Sequence, residues 1–321
     1  MGLMEDLRKE YNRDNIFQLA SELEVEVITG YPTGALVLDH QIGTMGGIPR
    51  GRLTEVYGPP AAGKTTLAIA TIATAQRENP EFKAVFLDAE NAVDVEYMSR
   101  CGVDLTRLII SRPEWAEQAF AIAEKAIRSG EYGIVVVDSV PALSPLAEMN
   151  GDVGDAHVGL LPRLMSQFLR RTAFAIRASG VSLVLINQVR DKISRVPFPQ
   201  LETPGGYALK HHASLMIFLR NAGEIKTSSG ESLGSKIAFT VKKNKIGNTY
   251  GAGEFEIWSA HGVCRPAGVI DLLMERKVLV QKGSWLTMDG KTLCQGRLTL
   301  VNMMYSDSEL MAQLENKMRE V

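Results

Sequence analysis

Gly58-Pro59-Pro60-Ala61-Ala62-Gly63-Lys64-Thr65 decides the fold. The run fits G-x-x-x-x-G-K-[ST] and stands in the surroundings that this motif requires. Leu53–Tyr57 before it reads as a short strand, and Thr66–Gln76 after it, rich in Ala and Ile, reads as a helix. A strand, a glycine-bounded loop and a helix N-terminus together cradle an anion. Backbone N–H groups and the helix dipole face the β- and γ-phosphates. Gly58, Pro59, Pro60, Ala61, Ala62 and Gly63 form the cradle, followed by Lys64, Thr65 and Thr66. Lys64 adds a point charge, and the Thr65 hydroxyl ligates Mg²⁺. The motif implies a bound nucleoside triphosphate and leaves open what is done with it.

Bulk properties narrow the class. The 321 residues suffice for one large domain or a core with an appendage. Hydrophobic content of 45 % with 22 % charged residues is that of an ordinary globular protein. No apolar run approaches the roughly 20 residues that span a bilayer, and the charged N-terminus lacks the apolar stretch of a signal peptide. Cys101, Cys264 and Cys294 are odd in number and far apart. They fit small core residues in a reducing cytoplasm, not a disulfide or zinc framework. A net charge of −2 means that any nucleic-acid site must be a local feature.

Beyond the opening segment the pattern alternates apolar strands with helices. Strands are expected at Leu53–Tyr57, Ala84–Asp88, Leu108–Ser111, Ile134–Asp138, Leu183–Asn187, Leu215–Leu219 and Ile237–Val241. Several are nearly continuous runs of Val, Ile and Leu, as in strands covered on both faces. Helices are expected at Glu114–Ser129 and Leu160–Ala178. This predicts an α/β core with a mainly parallel central sheet. Residues 1–33 form a polar lead-in with a helix at Leu7–Tyr11 and a lone strand at Ile16–Leu19, and residues 34–264 form the core. Residues 265–321 form a small α/β domain: a helix at Pro266–Lys277, a hairpin around Asp289-Gly290 and a helix at Ser306–Glu320. Two stretches, Met149–Val158 and Arg190–Gly206, resist both periods. Both follow strand ends, on the side where open α/β sheets place ligands.

Five further features can complete a phosphate site, and each has a plainer alternative. Asp138 ends the apolar strand Ile134–Val137; it either holds Mg²⁺ through water beside Thr65 or caps a helix. Glu90, just past Asp88, either polarises the attacking water or is a solvated loop acid. Gln188, after Leu185-Ile186-Asn187, either senses the γ-phosphate or is a structural amide. Tyr97 either stacks on adenine or packs on its helix. The run Lys242-Lys243-Asn244-Lys245 is either a solvated face or a set of cations acting on a neighbour's nucleotide.

The ordered runs Asp88-Ala89-Glu90-Asn91-Ala92-Val93-Asp94, Val137-Asp138-Ser139-Val140, Gly154-Asp155-Ala156-His157-Val158-Gly159-Leu160, Met165-Ser166-Gln167, Ile186-Asn187-Gln188-Val189-Arg190 and Val241-Lys242-Lys243-Asn244-Lys245 are collinear over nearly the whole chain. In this set, which extends to Gly283-Ser284-Trp285, the sequence resembles a bacterial-type RecA recombinase. The resemblance implies a RecA-type P-loop ATPase core, a short N-terminal polymerisation segment and a C-terminal α/β cap. It implies a DNA-dependent ATPase that forms a helical homo-oligomeric filament on single-stranded DNA, with ATP and Mg²⁺ between subunits, and exchanges strands with double-stranded DNA. Loader and single-strand-binding proteins are the partners it implies, and the cytoplasm the location. By resemblance Glu90 is the catalytic carboxylate and Gln188 the γ-phosphate sensor. Tyr97 flanks the adenine, and Asp94 belongs to the nucleotide site. Lys243 and Lys245 reach the adjacent subunit's ATP, and Asn15–Ala20 is the inter-subunit strand. Asn150–Gly159 and Arg190–Gly206 are the loops that hold DNA.

The charges agree with that placement. Single-stranded DNA is held by cations along its backbone and by N–H groups near its phosphates. Arg163, Arg170 and Arg177 recur every seven residues on one helix face. Arg190, Lys192, Arg195 and Lys210 bracket the second loop, Ile193 lies within it, and Gly205-Gly206 permit close backbone approach. Several positions depart from the family pattern and suit a divergent member, such as one carried by a phage. Asp191 places an acid between Arg190 and Lys192, and His211 stands where the family usually has an aromatic that couples ATP state across the interface. Pro60 and Ala61 replace polar loop residues, and the chain ends at Glu320-Val321 without the family's acidic tail, which is expected to ease DNA loading. Two other readings stay open: a ring-forming helicase or branch-migration motor, and a nucleotide-gated DNA-binding scaffold without strand exchange.

Overall fold

The computed structural model describes residues 3–11, 27–43, 46–152, 159–192, 200–202, 204–227, 229–247 and 250–320. A nine-stranded sheet forms the centre. Its strands in chain order are β1 (Leu53–Gly58), β2 (Ala84–Asp88), β3 (Leu108–Ser111), β4 (Ile134–Asp138), β5 (Ser182–Gln188), β6 (Leu215–Lys226), β7 (Ser232–Asn244), β8 (Ala252–Trp258) and β9 (Gly262–Val263). Across the sheet they run β9-β8-β7-β6-β1-β5-β4-β2-β3. The six strands from β6 to β3 are mutually parallel, and β7, β8 and β9 each run antiparallel to the preceding one. The chain is thus the α/β protein, with a mainly parallel sheet, that the sequence predicts.

Strand periodicity assigns the two faces. Successive side chains point to opposite sides. Ala84, Phe86, Ile134, Val136, Val184 and Ile186 pack under helix α1 (Lys64–Glu78), with its Leu67, Ile69 and Ile72. Val85, Leu87, Val135, Val137, Leu183 and Leu185 pack under α2 (Ala116–Ser129) and α3 (Leu160–Ser179), where the Phe120 and Phe168 rings stack at 4.7 Å. Both faces are covered, so the strands carry no polar alternation.

The antiparallel side departs from expectation. β6 and β7 run well beyond Leu215–Leu219 and Ile237–Val241, pairing as a hairpin out to Lys226↔Ser232. Past Leu219 this ribbon leaves the core, so its backbone bonds persist while the apolar signal stops. β8 and β9 were not expected, because β8 carries Gly253, Glu254 and Glu256 among its apolar residues. The stretch Arg190–Gly206 is also not wholly irregular. Arg190–Lys192 pairs antiparallel with Gln200–Glu202, which satisfies backbone groups at the base of the loop. A short helix at Leu146–Met149 precedes the first loop. The expected strand Ile16–Leu19, the wider segment Asn15–Ala20, the loop positions 153–158, and Ile193 and Arg195 lie outside the described residues.

The N-terminal helix spans Leu3–Tyr11. At the other end, α5 (Arg265–Glu275), strands Leu279–Lys282, Trp285–Met288 and Lys291–Gln295, α6 (Arg297–Ser306) and α7 (Ser308–Glu320) share a separate apolar cluster. The expected turn at Asp289-Gly290 has both φ angles positive, 50° and 75°, as a two-residue hairpin requires. Arg297 ties this cluster to the sheet. It donates to Glu256, which is buried on β8, and to Asp271 of α5 at 2.8 and 2.9 Å. Among the described residues no helix is long and apolar enough to cross a membrane.

Asp39, on the helix Leu36–Ile42, is a second buried charge. Thr33 donates to its carboxylate from its backbone N–H at 3.0 and 3.1 Å and from its hydroxyl at 2.7 Å. Burial pushes its pKa up to about 7; the Thr33 bonds and Arg265 oppose this, and Glu78 adds to it. The folded chain therefore keeps a proton that the unfolded chain releases near pH 4, and stability falls as pH rises from about 4 to 7. Asp39→Asn removes that slope. Urea midpoints at pH 4.5 and 7.5 should show the variant losing less stability than wild type across the window, by on the order of 2 kcal/mol.

Candidate nucleotide site

The parallel register brings four strand ends to one edge. Gly58 at the end of β1 pairs with Gln188 of β5, and Asp138 at the end of β4 pairs with Asp88 of β2. The loop Gly58–Gly63 turns from this edge into α1. A Cβ on Gly58 would stand 2.0 Å from the Leu219 carbonyl oxygen, and one on Gly63 would stand 2.4 Å from Ile257 Cδ1. Gly63 also holds φ +78° as the N-cap of α1. Gly58 is thus fixed by the β6 backbone against it, and Gly63 by its left-handed backbone conformation. Pro60 and Ala61 are accommodated, Ala61 at φ +56°.

Lys64 curls back over the loop. Its Nζ donates to the carbonyl oxygens of Gly58 at 3.2 Å and Pro59 at 2.7 Å. Burial lowers its pKa, against the pull of Asp138 and Glu90. Thr65 Oγ1 donates to Asp138 Oδ2 at 2.5 Å. Asp138 is 6 % exposed, and burial lifts its pKa to about 6. The Thr65 bond and Lys64 oppose that rise; Glu90 and Asp88 add to it. One hydroxyl and one carboxylate, with nucleotide phosphates and water completing the shell, is a donor set that suits Mg²⁺. A cation there would also relieve the cost of ionising Asp138.

Glu90 lies just beyond β2. A backbone bond from Ala89 N–H to the Asp138 carbonyl, 2.7 Å, holds this turn against the end of β4. Glu90 Oε1 accepts from Ser139 Oγ and from Gln188 Nε2, the latter at 2.9 Å. A cis peptide joins Asp138 to Ser139. Asp88 has a different task. Its carboxylate accepts from the N–H groups of Ala92 and Val93, both at 3.1 Å, and pairs with Arg112 at 3.5 Å. Asp94 caps the helix Val95–Arg100 through the N–H groups of Glu96 and Tyr97. Tyr97 on that helix meets Thr66 of α1, hydroxyl to hydroxyl at 3.3 Å.

The structure does not bring Lys243 and Lys245 to the loop. Lys243 pairs with Met216, which is level with Glu55, three residues short of Gly58 or roughly 10 Å along the strand. Both amines bond the last carbonyls of α4 (Gly206–His212): Lys243 to Lys210 and, at 3.3 Å, to His211, and Lys245 to His211 at 3.1 Å. Cations at a helix C-terminus complement its dipole. Arg163, Arg170 and Arg177 are exposed along α3. Gly205 is the N-cap of α4, and a Cβ on Gly206 would stand 3.3 Å from Pro162 Cβ, so the N-termini of α3 and α4 adjoin. Arg190 and Lys192 lie on the short strand leaving β5.

Sequence reasoning missed three residues here. Ser139 was visible only as the neighbour of Asp138. Asn187 is buried and donates to Glu55 at 2.9 Å and to the Pro204 carbonyl at 2.7 Å, tying β5 to β1 and to the start of α4. Arg112 pairs with Asp88 across the sheet and carries no sequence signal.

The RecA N-terminal domain model matches residues 2–264, and the RecA C-terminal domain model matches residues 267–321. The chain belongs to the RecA family. It is 39 % identical to the RecA protein of Bacillus subtilis over 318 residues, covering 99 % of this chain and 90 % of that one. Against the RecA proteins of Brevibacillus brevis and Mycobacterium marinum the identities are 40 % and 38 %, covering 99 % of this chain and 89 % and 90 % of theirs. The fold is similar to that of the RadB recombinase, with a TM-score of 0.54 and 21 % identity over 73 % of this chain and 98 % of that one. RecA-family proteins are DNA-dependent ATPases, and this chain is a divergent ATP-hydrolysing recombinase of that family.

The lifted pKa of Asp138 has a measurable consequence. Without nucleotide and Mg²⁺, its ionisation near neutral pH works against folding. Asp138→Asn keeps an acceptor for Thr65 and removes the charge. Thermal unfolding at pH 7.5 should show the variant more stable by on the order of 1–2 kcal/mol, with the gain shrinking as pH falls through 6 towards 4.

Proposed function

We propose that this RecA-family chain hydrolyses ATP with Mg²⁺ on single-stranded DNA and uses the cycle to pair and exchange homologous strands within a helical filament of its own copies. The observation that carries the reading is the meeting of Glu90, Gln188 and the Thr65–Asp138 pair at one sheet edge beside Lys64. Lys64 and the loop N–H groups hold the β- and γ-phosphates, and Thr65 and Asp138 seat Mg²⁺, which supplies charge neutralisation on those oxygens. Glu90 orients a water and takes its proton as the water oxygen bonds the γ-phosphorus and the bond to the β-phosphate oxygen breaks. Gln188 senses the γ-phosphate. Tyr97 and Asp94 lie towards the adenine.

Lys243 and Lys245 serve the neighbouring subunit's ATP; their place at the far end of the strands from their own loop supports this. The segment Asn15–Ala20 adds to a neighbour's sheet. Among the described residues the outer edge of β3 is unpaired, and with Ile109 47 % exposed over an apolar cleft lined by Val85, Ile122 and Ala126 it is a surface suited to strand addition. Arg163, Arg170, Arg190, Lys192, Ile193, Arg195, Gly205 and Gly206 hold DNA around the adjoining N-termini of α3 and α4. In domain terms, residues 1–33 polymerise, 34–264 form the ATPase core with both DNA loops, and 265–321 form the C-terminal domain. Loader and single-strand-binding proteins serve it in the cytoplasm.

ATP turnover with and without single-stranded DNA, combined with electron microscopy, tests this reading. Turnover should rise at least tenfold with DNA, with helical filaments in the images. Unstimulated turnover with closed rings, or nucleotide binding without filaments, contradicts it. Glu90→Gln should keep ATP binding and filaments while slowing hydrolysis about 100-fold, within the usual range for a lost general base. The pair Lys243→Ala with Lys245→Ala should leave the monomer folded and abolish the stimulation by DNA; unchanged stimulation would rule out the trans role.

A further inference from the structure

Two donors converge on one oxygen of Glu90, and they differ in kind. Ser139 is 1 % exposed and follows directly on the last residue of β4. Its backbone is held on the other side of the turn by the Ala89 N–H to Asp138 carbonyl bond. Gln188 is only half-buried, at the last position of β5, where the chain departs into the second long loop. Both bonds fall on Glu90 Oε1. Among the described residues, no hydrogen bond falls on Oε2. Asp138 and Ser139 are adjacent, so one strand end presents a carboxylate to the metal seat and a hydroxyl to the base.

We propose that Ser139 is the positioning residue for Glu90, the fixed half of a clamp whose movable half is Gln188. The inference rests on the reading of Glu90 as general base. Ser139 and Gln188 hold Oε1 together. When the Gln188 amide turns to a γ-phosphate, Ser139 alone keeps Oε1 in place, and Oε2 is left to accept the proton of the attacking water. A glutamate on an exposed turn has several free torsions. A single buried hydroxyl donor removes most of that freedom, and small misplacements of a catalytic group are costly in rate. The sequence alone offers no route to this role, because Ser139 reads there as the residue after a metal carboxylate.

The test is a double-mutant cycle with steady-state and single-turnover ATP hydrolysis on single-stranded DNA. It uses wild type, Ser139→Ala, Glu90→Gln and the double variant. Ser139→Ala should lower kcat about tenfold, with KM for ATP and the Mg²⁺ concentration for half-maximal rate within twofold of wild type. In the Glu90→Gln background it should change the residual rate less than twofold, because there is no base left to position. Thermal unfolding of each variant and Ser139→Cys, which keeps a weak donor and should fall between wild type and the alanine variant, guard against a folding defect. If Glu90→Gln is inactive and Ser139→Ala turns over at the wild-type rate, the role of Ser139 is overturned and that of Glu90 stands. Losses that multiply in the double variant, or a raised Mg²⁺ requirement, place Ser139 with the metal seat or the fold and also overturn it. Wild-type turnover by Glu90→Gln overturns the reading of Glu90 itself, and the clamp with it.

Discussion

Gly58 stands level with Gln188, and Asp88 with Asp138, because hydrogen-bonded parallel strands admit one register once both faces are buried. A slip of one residue would turn Phe86, Val136 and Ile186 from one helical layer into the other. The hydrophobic layers under α1 and under α2 and α3 therefore fix the chemistry. They set which residues reach the sheet edge together, and the loop, the metal seat and the base inherit their positions from that alignment. Gly58 admits the loop by the absence of a side chain, since a methyl group there would collide with the β6 backbone, and Gly63 does so by its positive φ.

The same edge concentrates charge in a place that disfavours it. Lys64 has its pKa lowered by burial, and Asp138 has its pKa raised by burial and by two neighbouring carboxylates. Each is partly compensated by the other and by hydrogen bonds to Thr65 and to loop carbonyls. Such an arrangement is poorly satisfied by itself and better satisfied by a cation with a polyphosphate. Binding energy is then drawn from relieving electrostatic cost as well as from new contacts.

Helix α4 links this edge to the opposite end of the sheet. Its N-terminal side follows Pro204, whose carbonyl accepts from Asn187, the residue before Gln188. Its C-terminal carbonyls are capped by Lys243 and Lys245. The seven-residue helix is about 10 Å long. It connects the strand end that bears the proposed sensor to the lysines proposed to serve another subunit. Asn187 and the two lysines are thus mechanical fixtures of one element, even though Asn187 lies on β5 and the lysines at the end of β7 and just past it.

The sequence by itself determined the nucleotide loop, the α/β class, the apolar parallel strands and, through an ordered series of short runs, the family. These are legible because they depend on local chemistry: glycine spacing, two-residue periodicity, and carboxylates or amides at the ends of apolar runs. It identified Glu90, Asp138 and Gln188 as candidates but could not pair them, and it left Ser139, Asn187 and Arg112 without roles. It also missed β8, whose buried Glu256 reads as a solvent residue until Arg297 and Trp258 are seen to satisfy it. Only the tertiary structure decided which side chain accepts from which, that Asp88 caps its own loop while Glu90 faces Gln188, and that Lys243 and Lys245 lie away from their own phosphate loop. The physical reason is that, apart from the local Asp88 cap, such contacts form between residues dozens of positions apart. Their geometry follows from strand order and register, which no local pattern in the chain encodes.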